Sequence, residues 1–272
     1  MARILSRSVG FLLAGAVFAA ATPGVCRAHL ILDPEVVRPI LSDIAKYQSE
    51  AKEDGAEERQ LEALYRLGEE VEFLIELMNQ DRKSHGVSDL FAKLIVKRLQ
   101  AYGIGVTFVE STRQYSYDFG AFQEYLRRSP RGDRSSDIRF QLISHTFYQS
   151  IGTDPAKLLN TDVAGVLQAV AEQEKFLRDY PNDKRAKEVR FFLAVNYYRL
   201  YRNSRNLAKA KEYRTLARDA LTHVMKRYPG TIEARGAEGL LETIQETWKG
   251  SRLQPTIPLV LAMKQSEEPV QR

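Results

Sequence analysis

One short segment occurs three times and constrains the fold of this chain most strongly. In it, a helix end that is rich in basic residues is followed by a proline, which in two copies comes directly after a tyrosine. The copies read YLRRSP at 125–130, FLRDYP at 176–181 and VMKRYP at 224–229, with serine in place of tyrosine in the first. Proline cannot continue a helix and restricts the preceding residue to extended geometry. Each copy therefore predicts a corner between two helices. The predicted corners are Ser129-Pro130, Tyr180-Pro181 and Tyr228-Pro229.

The spacing of the corners predicts a repeat. The prolines are 51 and 48 residues apart, which leaves room for one long helical hairpin in each interval. The ninth and tenth residues after the first two prolines are also alike, as Arg139-Phe140 and Arg190-Phe191. Self-similarity at such a period is typical of stacked helical arrays, in which no unit buries its apolar face alone. The alternative is a coincidence of Tyr-Pro pairs between ordinary helices.

Apolar residues recur at helical spacing over most of the chain, including residues 56–80, 88–102 and 206–228. Asp33-Pro34 begins a further helix, in which Pro39 is expected to cause a delay or a kink. Gly103 is the expected stop of the second stretch. The apolar face of that stretch comprises Phe91, Leu94, Ile95 and Leu99.

Residues 104–119 have a different period. Apolar and aromatic side chains alternate with polar ones on both sides of the polar segment 111–114, which predicts a β-hairpin. The predicted fold class is therefore all-α, a solenoid of helical hairpins with one small β-hairpin insertion. Its predicted parts are an N-terminal helical region at 29–103, the hairpin at 104–119, helical repeats at 120–250 and an extended or disordered tail at 251–272.

Residues 1–28 have the pattern of a secretory signal peptide. Arginines precede the apolar run Val9–Ala21, whose 13 residues are too few to span a bilayer, which needs about 20. Cleavage is predicted after Ala28, with cleavage after Ala21 as the alternative. The mature chain is then expected to be a soluble periplasmic protein without a transmembrane segment.

Cys26 raises the alternative of a lipid anchor. A lipobox requires a small residue immediately before the cysteine, and the bulky Val25 stands there instead. We therefore expect Cys26 to be discarded with the signal peptide, which leaves the mature chain without a thiol or a disulfide.

Charge is distributed unevenly along the chain. Residues 33–81 carry 14 acidic and 5 basic side chains, whereas residues 176–228 carry 14 basic and 5 acidic ones. Opposite net charges on these two regions favour either head-to-tail self-association or an acidic partner for the basic region. The alternative is that both regions are simply solvated helical surfaces.

The repeat also carries a family resemblance. Helices that end in Phe-Leu-x-x-Tyr-Pro, followed by an alanine- and aromatic-rich helix such as KRAKEVRFFLAVNYYRLY at 184–201, resemble the tetratricopeptide-like repeats of bacterial envelope proteins. That group includes the helical lipoprotein of the outer-membrane β-barrel assembly machinery and the periplasmic repeat protein that coordinates envelope constriction at division. The likeness covers residues 120–248 and implies a solenoid that binds other proteins, although such repeats share a packing pattern rather than a site.

The predicted function is a periplasmic scaffold that binds an envelope protein or peptide through its basic, aromatic-rich C-terminal half. Stacked helices can present aromatic and arginine side chains to a partner on a concave groove. The alternative is that the aromatic side chains pack between helices. Secretion argues against a nucleic acid as the partner. The candidate binding residues are Arg190, Tyr197, Tyr198, Arg199 and Arg202.

The sequence contains none of the spacings typical of nucleophile elbows, zinc proteases, P-loops or dinucleotide folds, so neither catalysis nor a cofactor is predicted. The alternative function is an enzyme acting on cell-wall glycan, which requires convergent carboxylates such as Asp118 and Glu124 beside the hairpin. A minor alternative is copper chelation by His29 if it becomes the mature N-terminus. No metal site is predicted otherwise, and His145 and His223 are expected to be structural.

Overall fold

The computed structural model describes residues 32–85, 89–110, 112–151 and 162–248. The predicted signal peptide, His29 and the predicted tail lie outside these residues. The described part is mostly helical with one two-stranded antiparallel sheet, which confirms the all-α class and the single β-hairpin. Its elements are α1 (Pro34–Glu50), α2 (Glu57–His85), α3 (Asp89–Ala101), β1 (Val106–Val109), β2 (Gln114–Tyr117), α4 (Gly120–Arg128), α5 (Ser135–Ile151), α6 (Val163–Asp179), α7 (Ala186–Asn203), α8 (Leu207–Arg227) and α9 (Ile232–Trp248).

Local signals set the ends of the first helices. Asp33 caps α1 by accepting a hydrogen bond from the backbone N–H of Glu35 at 2.7 Å, and α1 continues through Pro39. After α3, Gly103 adopts a φ of 79°. The N–H of Ile104 donates to the carbonyl of Leu99 at 3.0 Å, which completes the glycine stop that the sequence predicts.

Helix α2 packs against α1 on one side and α4 on the other. Gly68 permits the close approach of α4, since a Cβ at this position would overlap the ring of Phe122. The Phe122 ring is fully buried. The glycine therefore belongs to the helix–helix contact, where its helix-weakening effect is offset by packing.

The β-hairpin joins α2 to α5. Val109 pairs with Gln114, so Gln114 belongs to β2 and not to the turn, which the sequence places at 111–114. The side-chain amide of Asn79 on α2 accepts from the N–H of Tyr115 at 2.7 Å and donates to its carbonyl at 3.0 Å. On the other side, Gln149 of α5 donates to the hydroxyl of Ser116 at 2.8 Å. Because an isolated hairpin is marginal in water, these contacts account for its stability.

The three predicted corners have the same backbone geometry. Ser129, Tyr180 and Tyr228 end their helices with φ of −135°, −133° and −130° and ψ of 74°, 59° and 53°. In each, the backbone N–H donates to the carbonyl four residues earlier. The fifth and eighth residues after each proline are buried. These residues are Ser135, Ile138, Ala186, Val189, Ala234 and Ala237.

Each helix from α4 to α9 contacts the next one in the chain. Helix α7 also contacts α5 and α9, so alternate helices lie side by side. Two hydrophobic cores result: one extends from Leu32 to Ile138 and the other from Ile143 to Ile244. They meet within α5. Among the described helices, none is both long and apolar enough to cross a membrane.

An ionic contact joins successive hairpins at the fourth residue after each corner proline. Arg134 lies 3.7 Å from Glu62 of α2, and Arg185 lies 2.6 Å from Asp137 of α5. At the third corner the contact has the opposite polarity, since Glu233 lies 3.0 Å from Lys187 of α7. The position of the ionic contact is therefore the same at all three corners, whereas the sign of the charge at that position is not.

Candidate partner-binding surface

Three of the five candidate binding residues lie in the core instead of on a groove. Tyr197, Tyr198 and Arg199 are 7%, 1% and 3% exposed. Helix α7 lies between α5, α6, α8 and α9, so every side chain from Phe191 to Leu200 is buried. A partner cannot reach these three residues in this structure, and we assign them to helix packing.

Arg199 belongs to a buried polar network that links three helices. Its guanidinium donates to the hydroxyl of Ser150 on α5 at 2.9 Å and to the side-chain oxygen of Asn196 at 3.0 Å. Asn196 in turn donates to Gln173 of α6 at 3.1 Å. Burial lowers the pKa of Arg199 to about 10, so the group remains charged at neutral pH. The network fixes the register of α5, α6 and α7.

The other two candidates remain accessible. Arg202 is half-buried and donates to the hydroxyl of Tyr198 at 3.2 Å. Arg190 is half-buried and belongs to α7, which packs against α8. Helix α8 adds exposed cationic side chains to the same half of the molecule. These are Lys209, Lys211, Arg218, Lys226 and Arg227. The accessible part of the predicted surface is therefore basic, while its aromatic part is largely internal.

An apolar groove of about 480 Å³ lies between α1 and α3, where the sequence predicted only a buried helix face. Ile95 and Leu99 are buried as expected, whereas Leu94 is 56% exposed and lines the groove together with Leu41 and Phe91. Helical periodicity identified the apolar face of α3. It could not show that α1 covers only part of it.

The carboxylates proposed for the alternative enzyme line one cleft. Asp118 and Glu124 both border a space of about 320 Å³ beside the hairpin. Asp118 accepts from the backbone N–H groups of Gly105 and Gly120 at 2.9 and 3.0 Å. Glu124 accepts two hydrogen bonds from Arg127, which hold its pKa below the usual range. Both groups are thus engaged as hydrogen-bond acceptors, and Glu124 is the opposite of a proton donor tuned to neutral pH.

Glu72 is the carboxyl group with the most perturbed environment near this cleft. Burial, followed by the negative charges of Glu76 and Glu69, raises its pKa to about 7. The buried hydroxyl of Tyr117, whose pKa is raised by burial and by Glu72, has no hydrogen-bond partner within the described residues. A solvated helical surface is one of the alternatives that the sequence leaves open for residues 33–81, and the burial of Glu72 departs from it. Tyr117 of β2 lies within electrostatic reach of Glu72.

Replacement of Glu72 by glutamine is expected to stabilise the protein at pH 8 but to have little effect at pH 5. The folded state retains a proton between pH 4.5 and 7 that the unfolded state releases, so the free energy of unfolding falls as pH rises through this window. At pH 8 we expect the free energy of unfolding of the Glu72→Gln variant to exceed that of the wild type by about 1–3 kcal/mol. Urea denaturation at both pH values measures it. Glu58→Gln, at an exposed position, is the control, and equal pH dependence in both variants would contradict the assignment.

Within the described residues, no group of three or more metal-ligating side chains is placed to hold an ion.

No family model matches the chain, and comparisons with curated proteins and with solved structures give no significant match. His145 packs edge-on against Phe119 at 4.4 Å, and its Nε2 lies 3.4 Å from the hydroxyl of Ser116. The candidate partner-binding surface is therefore described from the structure alone. Its accessible exterior is basic, and its aromatic side chains are largely buried.

Proposed function

We propose that this chain is a secreted periplasmic scaffold with tetratricopeptide-like helical repeats, which binds another envelope protein through the basic exterior of its C-terminal half. The observation that carries the proposal is the common geometry of the three corners, which share backbone angles, buried positions and an ionic contact to the preceding hairpin. Repeats of this kind build extended surfaces for protein binding. The signal-peptide pattern supports the location.

The binding surface proposed here differs from the sequence-based one. It retains Arg190 and Arg202 and adds the exposed cations of α8, while the buried Tyr197, Tyr198 and Arg199 support it from within. A basic exterior favours an acidic partner, since complementary charge raises the association rate and specificity.

Photo-cross-linking in living cells tests this function. A photoreactive amino acid at Arg218 on α8 should give a discrete cross-linked product with an envelope protein, whereas the same group at Lys97 on α3 should not. Both positions are exposed helical cations, so the pair is matched. Products that are identical at the two positions would contradict a C-terminal binding surface.

Export is tested separately. N-terminal sequencing of the periplasmic fraction should begin at His29, or at Thr22 for the alternative cleavage site. Protein that keeps Met1 and stays in the cytoplasm would contradict the proposed location.

The glycan-processing alternative has less support from the structure. Asp118 and Glu124 share a cleft, as that function requires, but the first is bonded to backbone N–H groups and the second to Arg127. These contacts favour a role in positioning the hairpin on α4.

A further inference from the structure

The groove between α1 and α3 leaves apolar side chains of α3 open to solvent. Leu90 and Leu94 lie one helical turn apart on α3 and are 72% and 56% exposed. Phe91 beside them is half-buried and lines the groove. Ile95 and Leu99, on the other side of α3, belong to the first core. A contiguous apolar surface marks a binding site more often than a single exposed leucine does.

The length of the groove suits a short segment of extended chain. The groove follows α1 from Pro34 to Ala45 and α3 from Phe91 to Tyr102, which is about 17 Å along each helix. An extended residue advances about 3.3 Å, so about five to seven residues cover this length. Most of the lining side chains are apolar. The groove therefore fits an apolar segment of that size.

The chain itself contains a segment of this kind. Residues 257–263 read IPLVLAM, the longest uninterrupted apolar run after residue 28, and they lie beyond the described residues. Pro258 lacks a backbone N–H and restricts Ile257 to extended geometry, so the start of the run disfavours a helix. An apolar run of seven residues gains free energy when it leaves water for an apolar surface.

The charges beside the groove also suit this segment. Arg38 and Arg98 both line the groove. Glu267 and Glu268 follow the apolar run, with Lys264 as the one cation between them and the run. Complementary charges of this kind raise the rate and the specificity of association.

The order of helices favours a segment from a second copy over the chain's own segment. Helix α9 is connected to α1 through α7, α5, α4 and α2, each of which contacts the next. At about 8–10 Å for each packed pair, this path is about 40–50 Å long. Residues 249–256, which separate α9 from the apolar run, span at most about 30 Å. A segment from another copy has no such limit.

We propose that the groove between α1 and α3 binds residues 257–263 of a second copy of this chain, so that copies associate head to tail. The contact is heterologous, because it joins two different surfaces of the same protein. It uses the N-terminal helices and the C-terminal segment, and it leaves the basic exterior of α8 accessible. The inference does not depend on the proposed function.

Sedimentation equilibrium of the protein, purified as the cell processes it, tests the association. The wild type should associate. Leu94→Gln in the groove and Leu259→Gln in the segment should each weaken association about tenfold or more, because each places a polar group in an apolar contact. Wild-type protein that stays monomeric would overturn the proposal.

Two variants are matched controls. Leu167→Gln changes a leucine of α6 that is 43% exposed and lies one turn from the exposed Val163. Val270→Gln makes a similar change in the C-terminal segment, outside the apolar run. Each should weaken association less than about twofold. None of the four substitutions changes the net charge, and thermal unfolding establishes that all four variants fold. Equal weakening by Leu94→Gln and Leu167→Gln would overturn the proposal.

A mixture of the two weakened variants tests the head-to-tail arrangement. The Leu94→Gln protein keeps an intact segment, and the Leu259→Gln protein keeps an intact groove. Their equimolar mixture should therefore form dimers at concentrations at which neither variant associates alone. A groove-to-groove or segment-to-segment contact predicts no such recovery, so a monomeric mixture would overturn the proposal.

A labelled synthetic peptide of residues 253–268 identifies the occupant by fluorescence anisotropy. It should bind the wild type, dissociate the wild-type assembly and bind Leu94→Gln at least about tenfold more weakly. A monomeric wild type that takes up the peptide only after Leu259→Gln would show that the chain's own segment fills the groove. If the peptide binds none of these proteins, the groove belongs to a different partner. Either result would overturn the proposal.

This inference and the proposed function fail separately. A photoreactive group at Lys97 on α3 is expected to give, at most, a product of two copies of this chain, which its mass identifies. A product with a different envelope protein at Arg218 would still support the proposed function when the copies do not associate.

Discussion

Replacement of Phe122 by alanine is expected to lower the free energy of unfolding by about 3–5 kcal/mol, the usual cost of removing a large ring from a core. The Phe122 side chain is fully buried and lies against Gly68 at the contact between α4 and α2. It also packs near Tyr65 and Phe119, with ring centroids 6.3 and 6.4 Å away. Its loss leaves a cavity where α2 meets α4.

The role of Gly68 is tested in the same experiment. In the wild type, Gly68→Ala should cost about 1–3 kcal/mol, because the added Cβ overlaps the fully buried ring of Phe122. In the Phe122→Ala background the same change should be neutral or stabilising by up to about 1 kcal/mol, since alanine favours a helix more than glycine does.

Urea denaturation of the four proteins measures this double-mutant cycle. Gly55→Ala is the control, because a Cβ there meets no atom within 4 Å, and its effect should stay within about 0.5 kcal/mol. An equal cost of Gly68→Ala in both backgrounds would show that the ring is not the obstacle.

The corners and the hairpin could be predicted because their signals are local. Proline and the residue before it are restricted wherever they occur, and a change of period from 3.6 to 2 appears within a few residues. The third corner at Tyr228-Pro229 was weaker in sequence, since Glu238 and Gly239 replace the arginine–phenylalanine pair. Its geometry is nevertheless the same, and the fifth and eighth residues after its proline, Ala234 and Ala237, are buried as at the other two corners.

The positions of the candidate binding residues in the fold were predicted less well. The segment FFLAVNYYRL at 191–200 is apolar or aromatic on every helical face, and a helix of this kind is enclosed by others. That signal was present and would have assigned Tyr198 to the core. Arg199 could not be placed in this way, because its burial depends on Ser150 and Asn196, and only the folded chain brings Ser150 near.

Contacts between elements that are distant in the chain could not be predicted from the sequence either. The hydrogen bonds of Asn79 to β2 and the burial of Glu72 depend on which elements become neighbours, and hydrophobic periodicity does not predict this. The residue four positions after each proline did carry a signal, since Arg134, Arg185 and Glu233 are all charged. Its meaning required the preceding hairpin, which supplies the opposite charge each time.

Replacement of Arg185 by methionine should cost about 2–4 kcal/mol, because it breaks a largely buried ion pair between two hairpins. Its guanidinium lies 2.6 Å from Asp137 and 2.7 Å from Asp183, and the side chain is only 14% exposed. The substitution leaves two carboxylates without their cation. Arg178→Met, at a side chain that is 68% exposed, is the control and should change stability by less than about 0.5 kcal/mol.

The pH dependence of this effect gives a second readout. The hydrogen bond from Arg185 holds the pKa of Asp183 below its usual 3.8. The resulting stabilisation is complete above the unfolded-state pKa and disappears as pH falls through the folded-state pKa. The difference between the wild type and Arg185→Met, measured by urea denaturation, should consequently shrink between pH 7 and pH 3. Adding Asp183→Asn should recover part of the loss at pH 7, because it removes one uncompensated carboxylate. A loss that is constant over this pH range would mean that Arg185 acts by packing on the Phe140 ring, 5.1 Å away, rather than by joining the hairpins through its charge.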